Sequence, residues 1–378
     1  MLAGLRVKWF GVFLLVMLGL IVAPVAAQTT PPFPFAQPGS YPVGLRLVRL
    51  VDTDRNSRNV DIAIWYPAIV PDKPDKQQSI LGDPSHWGWL KAVPDLQDAP
   101  YPLILYSHHF TGSYLDFRTL DILLASHGYV VVGLNHADDT VQNAFVNRPI
   151  DVLFAIDQFA AMTTGDLAGL MDTNNVGVMG DSLGGYTALM MTGARIDPAS
   201  ASTLGAAPQV ASDYSDHDPR TFFGDWNWDN LTAFRTSLTS LPPLSGNDLW
   251  PPFTDPRIHA ALMLSPCFAP LFGKHGLATA TVPSLVVGGS RDIDCPYQQD
   301  DAYIFANLGS QDRYLLSVVN DGHVPGMREA VFTQLYTAFF NVYLKGQQDD
   351  AQYLTAHYVD SVETQLKRGL VWGVYNGG

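Results

Sequence analysis

The sequence predicts an α/β fold with a mainly parallel central sheet and helices on both faces. From residue 101 onward, short segments rich in Val, Leu and Ile alternate with segments of helical periodicity. Apolar strands that alternate with helices are typical of a parallel sheet that is buried on both faces. Hydrophobic residues make up 47% of the 378 residues, so the chain can fill the core of such a fold.

The N-terminus has the three parts of a secretory signal peptide. Arg6 and Lys8 supply positive charge, residues 9–23 are apolar, and Val25-Ala26-Ala27 offers small residues for cleavage. We therefore expect residues 1–27 to be removed and the protein to be secreted or periplasmic. An uncleaved membrane anchor is the alternative, although the apolar run is short for a span. We expect no stable membrane span after cleavage.

The Pro- and Thr-rich residues 28–42 predict an extended leader, and one α/β domain is expected to cover residues 43–378. The domain opens with two strands joined by a polar turn, which predicts a hairpin. The predicted strands are residues 43–51, 59–66, 103–107, 129–135, 175–180, 258–264, 284–288 and 314–319. The predicted helices are residues 114–127, 149–162, 183–193, 297–308 and 324–345.

Residues 197–256 interrupt this alternation and are rich in Ser, Asp, Pro and Trp. A connection of this length favours a lid-like insert, with a surface excursion of no function as the alternative. The acidic residues 213–218 could hold calcium, but their spacing favours a solvated loop. Four tryptophans could line an acyl or aromatic pocket, although tryptophans more often serve in packing. They are Trp87, Trp89, Trp226 and Trp228.

The charge balance argues against one class of partner. Asp and Glu number 36 against 22 Lys and Arg, a formal net charge of −14. Because contacts to phosphates need a basic face, we do not expect nucleic acid as a partner.

The strongest motif is Gly180-Asp181-Ser182-Leu183-Gly184, which matches G-x-S-x-G. It follows a predicted strand and opens a predicted helix, which is the context of the nucleophile elbow of α/β-hydrolases. The chain turns so sharply there that side chains at positions 180 and 184 would clash, so both positions need glycine. The turn exposes the hydroxyl of Ser182 at the N-terminus of a helix. The motif therefore predicts Ser182 as the nucleophile of an α/β-hydrolase fold.

A serine hydroxyl needs a base, and this fold expects the chain order Ser, acid, His. His323 follows the last predicted strand and is expected to be the base. His108 and His109 precede the serine and lie in a different loop. Asp292 follows the strand before that and is expected to be the acid that orients the imidazole, with Asp294 as the alternative.

The oxyanion hole needs two backbone donors. One is expected to be the amide of Leu183, directly after the nucleophile. The other is expected in the loop after the strand at residues 103–107, and Phe110 is our choice. Each such donor contributes about 3 kcal/mol or more to stabilisation of the transition state. This chemistry needs no metal and no cofactor.

Several segments resemble the platelet-activating-factor acetylhydrolases and dienelactone-hydrolase-like esterases. They are YPLILYSH at residues 101–108, LASHGY at 124–129, IWYP at 64–67, and the elbow followed by Gly185. Bacterial lipases and polyester hydrolases are more distantly similar. The resemblance covers most of residues 43–345 outside the insert. It implies cofactor-free hydrolysis of carboxylic esters, with a small-molecule, lipid or polyester ester as substrate.

The chain departs from the pattern of this family at three places. The oxyanion loop usually reads H-G-x-G, whereas His109 and Thr111 stand at the glycine positions. The residue before the nucleophile is more often His, whereas this chain has Asp181. The plasma acetylhydrolases carry their acid after the preceding strand, where residues 264–267 read LSPC without a carboxylate. The acid is therefore expected to be Asp292, as in lipases and polyester hydrolases.

The expected function is secreted hydrolysis of short-chain or lipid-type carboxylic esters through a Ser-His-Asp triad and an acyl-enzyme. Two alternatives stay open: amide or peptide hydrolysis on the same triad, and a secreted binding protein that kept the fold without activity. Cys267 and Cys295 follow strands that should be neighbours, and export permits a disulfide between them. We expect this bridge, with two unpaired thiols as the alternative.

Overall fold

Ten strands form one sheet in the computed structural model, which describes residues 33–70, 88–137, 141–202, 228–246, 248–326 and 329–376. The strands are β1 (Val43–Asp52), β2 (Arg58–Pro67), β3 (Gly88–Leu90), β4 (Tyr101–Ser107), β5 (Val130–Asn135), β6 (Met171–Asp181), β7 (Ile258–Leu264), β8 (Ser284–Gly289), β9 (Asp312–Val318) and β10 (Leu370–Asn376). Their order across the sheet is β10-β9-β8-β7-β6-β4-β5-β2-β1-β3. The six strands from β9 to β5 in this order are parallel. The β1–β2 hairpin and β10 pair antiparallel to them.

Helices cover both faces of this sheet. They are α1 (Arg118–Ser126), α2 (Val141–Ala160), α3 (Leu183–Met191), α4 (Pro198–Ala201), α5 (Trp228–Ser237), α6 (Gly273–Leu277), α7 (Asp301–Asn307), α8 (Ala330–Lys345) and α9 (Ala356–Leu366). Strand β4 divides its side chains between two cores. Leu103 and Leu105 join the core beneath α2 and α3, whereas Ile104 and Tyr106 join the core beneath α1 and α8. The predicted α/β fold with a mainly parallel sheet is confirmed.

The predicted start of α2 was wrong, and several strands and helices were missed. The helix expected at residues 149–162 begins at Val141, and Pro149 lies inside it rather than at its start. A proline is favoured in the first turn of a helix, which is why it suggested a start there. Strands β3 and β10 and helix α9 were missed. In β10 the buried Leu370 and Trp372 alternate with more exposed residues, as in an edge strand. This strand was missed because the prediction relied on continuously apolar segments, which are typical of strands buried on both faces.

The described part of the leader and of the insert packs against the domain. The amide of Phe35 donates to Gln334 Oε1 at 2.8 Å. In the insert, Trp250 is buried, its ring lies 5.4 Å from that of Trp228, and its amide donates to the carbonyl of Ile196 at 2.9 Å. Trp89 in β3 is half-buried beside the core. Trp87, Trp226, the acidic residues 213–218, the whole predicted signal and residues 28–32 of the leader lie outside the described residues, so the lid, pocket and cleavage hypotheses stay predictions.

The parallel strands place the loops of interest at one edge. The carboxyl ends of parallel strands meet at the same edge of a sheet, where α/β proteins bind their ligands. Strand β4 ends at Ser107, β6 at Asp181 and β7 at Leu264, whereas β8 and β9 end before Asp292 and His323. All five loops therefore open onto one side of the molecule. Among the described residues, no helix has the length and apolar character needed to cross a bilayer.

Candidate active site

The predicted nucleophile elbow is a tight turn between β6 and α3. Ser182 has φ +57° and ψ −118°, a conformation that a serine adopts only under strain. A Cβ atom at position 184 would lie 1.9 Å from the carbonyl oxygen of Ser107, and one at position 180 would lie 2.2 Å from the carbonyl oxygen of residue 184. Gly180 and Gly184 are therefore required by close packing. Leu183 is the first residue of α3, so its amide has no acceptor within the helix.

A buried carboxylate holds the histidine. His323 Nδ1 lies 2.7 Å from Asp292 Oδ2, and the Asp292 side chain is fully buried. The other oxygen, Asp292 Oδ1, accepts the amides of Asp294 and Cys295, each at 2.9 Å. Asp292 is thus fixed from both oxygens. Asp294 supplies its amide to this arrangement, and its own carboxylate is more exposed, although it lies in the same small cluster with His323.

The environment of His323 favours its protonated form. Burial lowers the pKa of His323, but the hydrogen bond and charge of Asp292, with the charges of Asp294 and Asp181, outweigh burial and raise the pKa above its ordinary value. A base of raised pKa is a stronger proton acceptor once it is neutral.

A disulfide lies next to Ser182 and His323. Cys267 and Cys295 are joined and link the loops after β7 and β8. Ser182 Oγ lies 3.5 Å from Cys267 Sγ, and a ring nitrogen of His323 lies within 4.8 Å of both sulfur atoms. Ser182 and His323 therefore lie next to the same disulfide, although no direct hydrogen bond joins their side chains. In proteins without substrate such bonds are often long and tighten in the substrate complex.

The loop after β4 carries the second predicted oxyanion donor. Phe110 is half-buried and packs against the core, and Thr111 has φ +61°. This left-handed conformation favours glycine, which is the residue that the resembling family has at this position. The carbonyl of His109 accepts from His108 Nδ1 at 2.7 Å and from Arg148 Nη2 at 3.4 Å. Burial lowers the pKa of His108 to about 2, so this imidazole is neutral.

A second Ser-His-Asp chain lies beneath this loop. Ser107 Oγ is 2.9 Å from His136 Nε2, and His136 Nδ1 is 2.9 Å from Asp151 Oδ2. Arg55 and Arg58 also donate to the Asp151 carboxylate, at 2.6 and 2.8 Å. Ser107 is only 2% exposed and the His136 side chain is fully buried, so a substrate cannot reach them. This chain is a support that joins β4, β5, α2 and the β1–β2 hairpin.

The structure joins two residues that depart from the family pattern. His109 Nδ1 lies 3.0 Å from Asp181 Oδ2, and the hydroxyl of Tyr106 donates to Asp181 Oδ1 at 2.9 Å. Sequence reasoning noted His109 and Asp181 separately and missed this contact. A signal was available in the sequence. His109, a potential cation, and Asp181, an anion, replace the residues that are usual in the family, and they do so in two loops that meet at the same edge of the sheet.

The mainly parallel sheet and its strand–serine–helix turn define an α/β-hydrolase fold. Residues 84–152 match the model of the family described as platelet-activating factor acetylhydrolase, isoform II. This match supports the resemblance found in the sequence and, in general terms, an ester hydrolase. The matched segment contains β4, the oxyanion loop and β5, and it ends before Ser182. No curated protein matches the chain.

Thr111→Gly is expected to stabilise the protein by about 0.5–1 kcal/mol. A left-handed backbone costs a residue with a Cβ about 1–2 kcal/mol, and the greater freedom of glycine in the unfolded chain offsets part of the gain. Thr111 is exposed, so little packing is lost. The measurement is the midpoint of urea unfolding, which should rise at constant slope.

Thr111→Ser is the matched control, because it keeps the Cβ atom and should leave the midpoint nearly unchanged. A midpoint that falls in Thr111→Gly would show that the threonine side chain stabilises the loop and would contradict the strain argument.

Proposed function

We propose that this protein hydrolyses carboxylic esters with Ser182 as nucleophile, His323 as general base and Asp292 as the orienting acid. The observation that supports this most strongly is the 2.7 Å hydrogen bond between the buried Asp292 and His323, next to a strained serine at a strand–helix elbow. Order along the chain, geometry and burial all fit the roles of a serine hydrolase triad.

The reaction proceeds in two halves. His323 Nε2 takes the proton of the Ser182 hydroxyl while Oγ bonds to the acyl carbon, and the carbonyl oxygen becomes an oxyanion. The C–O bond to the alcohol then breaks as the imidazolium gives its proton to the alcohol oxygen. The acyl group stays bound to Ser182 Oγ as an acyl-enzyme. Water attacks the acyl carbon with the same histidine as base, and the carboxylic acid and free serine are released. Asp292 stays ionised and holds Nδ1–H, so that Nε2 faces the serine.

The oxyanion is proposed to rest on the backbone amides of Leu183 and Phe110. Leu183 opens α3, where the helix dipole adds positive potential. Phe110 lies in the loop after β4. Strand β4 ends at Ser107, and the carbonyl of Ser107 packs closely against the elbow at Gly184. Both amides are proposed to donate to the carbonyl oxygen of the bound ester, which carries the negative charge in the tetrahedral intermediate.

The proposed substrates are short-chain or lipid-type esters. The partial match to the acetylhydrolase family supports an ester of this kind. Amide or peptide hydrolysis is the second candidate, because the same triad attacks both kinds of carbonyl. An inactive binding protein is disfavoured by the fully hydrogen-bonded Asp292, since a carboxylate held from both oxygens suits an active acid.

Ser182→Ala should abolish hydrolysis, with kcat lowered by about 10⁴-fold or more, because the covalent step is lost. The measurement is a panel of para-nitrophenyl esters from acetate to palmitate, together with covalent labelling by a fluorophosphonate probe. We expect kcat/KM of the native protein to be highest for short acyl chains.

Ser107→Ala is the matched control, because it alters the serine of the buried Ser-His-Asp chain and should still be labelled at Ser182. Hydrolysis and labelling that persist in Ser182→Ala would refute the proposed nucleophile. A value of kcat/KM that rises steadily with acyl length up to palmitate would leave the assignment of the nucleophile unchanged. It would contradict the preference for short chains and indicate a lipase.

Asp292→Asn should lower kcat by about 10⁴-fold, as expected when the imidazole takes the wrong tautomer. Asp294→Asn should have a far smaller effect, because Asp294 contributes mainly its backbone amide to the site. The measurement is kcat of both variants on one ester at one pH.

The two variants differ by one carboxylate each and lie two residues apart, so each controls for the other. A larger loss in Asp294→Asn would move the acid to that residue, and no loss in either would require an acid elsewhere.

We also propose that residues 1–27 direct export and are cleaved, which the disulfide in the mature domain supports. N-terminal sequencing of the exported protein should begin near Gln28. A first residue of Met1 would refute cleavage.

A further inference from the structure

We propose that His109 and Asp181 form an ion pair, here called the oxyanion latch, that fixes the loop carrying Phe110 to the nucleophile elbow. His109 is then a positioning residue for the oxyanion hole. The inference rests on the proposed ester hydrolysis, because it concerns the alignment of its two oxyanion donors.

The latch lies next to the reacting groups in the chain. His109 directly precedes Phe110, and Asp181 directly precedes Ser182. The 3.0 Å contact between their side chains therefore connects the two loops at the residues that flank the proposed donor and nucleophile. This contact links the two loops through their side chains, in addition to the close backbone approach of Ser107 to Gly184.

The latch also bears on the direction of the Phe110 amide. The carbonyl of His109 and the N–H of Phe110 belong to one peptide unit, and in a trans peptide they point in opposite directions. That carbonyl is held by His108 Nδ1 and Arg148 on one side. The His109 side chain is held by Asp181 on the elbow side. Because the carbonyl of His109 and the side chain of His109 are both held, the peptide unit between His109 and Phe110 has little freedom to rotate. The amide of Phe110 therefore keeps one orientation.

Burial gives the pair its strength. The Asp181 side chain is 2% exposed, and a buried carboxylate needs a charged or strongly hydrogen-bonding partner. Tyr106 supplies one neutral donor to Oδ1, and the His109 imidazolium supplies the opposite charge at Oδ2. Loss of His109 would leave the buried Asp181 carboxylate with Tyr106 as its neutral donor, whereas loss of Asp181 would leave a His109 imidazole that is 41% exposed to solvent.

Five charged or titratable groups surround His109. They are Asp181 at the end of β6, Tyr106 of β4 through that carboxylate, Asp116 with Oδ2 3.8 Å from His109 Nε2, and Arg148 of α2 and the neutral His108 at the backbone carbonyl. The hydrogen bond to Asp181 raises the pKa of His109, burial lowers it, and the net shift is upward. The imidazole therefore stays protonated to a higher pH than an ordinary histidine.

The latch and the triad depend on pH in opposite directions. His323 must be neutral to act as base, so kcat rises with pH through its pKa. His109 must be protonated for a charged latch, so kcat declines as pH rises through the pKa of His109. The neutral imidazole can still donate from Nδ1, so this decline should be partial rather than complete.

The test is a double-mutant cycle with His109→Gln, Asp181→Asn and the double variant, followed as kcat and KM against pH. We expect each single variant to lower kcat by about tenfold to a hundredfold with little change in KM, because misplacement of a donor affects the transition state. The double variant should lose no more than the worse single variant, since the two residues act as one unit. The partial alkaline decline should disappear in His109→Gln.

Two further variants serve as controls. Asp116→Asn removes the other carboxylate beside His109 but leaves the link to the elbow, so the alkaline decline should persist and begin at lower pH. His109→Asn keeps a neutral donor near the position of Nδ1, so it should recover part of kcat without the alkaline decline. If Asp181→Asn does not fold, the comparison of His109→Gln with His109→Asn still decides.

NMR titration of His109 separates this inference from the proposed function, because it requires no turnover. Its pKa should fall in Asp181→Asn. Additive losses in the cycle, an alkaline decline that persists in His109→Gln, or an unchanged pKa of His109 in Asp181→Asn would overturn the latch. A native protein that hydrolyses no ester and is not labelled at Ser182 would instead overturn the proposed function, whatever the titration gives.

Discussion

The contact between the Ser107 carbonyl and the two elbow glycines is the constraint on which the rest of the site depends. Oxygen and carbon atoms of residue 107 occupy the space that a side chain at position 184 would need. The end of β4 is thereby pressed against the turn between β6 and α3. Because of this approach, Ser182, the loop after β4 and the contact between His109 and Asp181 lie close together.

Backbone strain gathers around that volume. Residues without the freedom of glycine adopt positive φ in four of the loops after the parallel strands, where the sheet holds them in place. The amide of Ser182 donates to the Leu264 carbonyl at 2.9 Å, and the amide of Val324 donates to Ser265 Oγ at 3.0 Å. Two of the strained residues are thus held by hydrogen bonds to the last residue of β7 and to the residue that follows it. The strained residues at the site are Thr111, Ser182, Ser265, Phe268 and Val324.

The sequence was informative where the signal is local and silent where it is long-range. The parallel core and the elbow could be predicted, because apolar strands and two required glycines are visible within a few residues. The contact between His109 and Asp181 joins positions 72 residues apart, and no local pattern predicts it. The buried Ser107–His136–Asp151 chain was missed for the same reason. The start of α2 was misplaced because a proline is typical of a helix start, whereas the helix continues N-terminal to Pro149, where Ala144, Phe145 and Val146 are buried in the core.

The buried support beneath the oxyanion loop has a consequence for how this protein can be recombined. The segment that matches the acetylhydrolase family ends one residue after Asp151, whereas Arg55 and Arg58, which neutralise that carboxylate, belong to the hairpin outside it. A chimera that transplanted the matched segment alone would carry a buried acid without its arginines. The β1–β2 hairpin is therefore part of the smallest transferable unit of this protein, although it contributes no residue to the proposed active site.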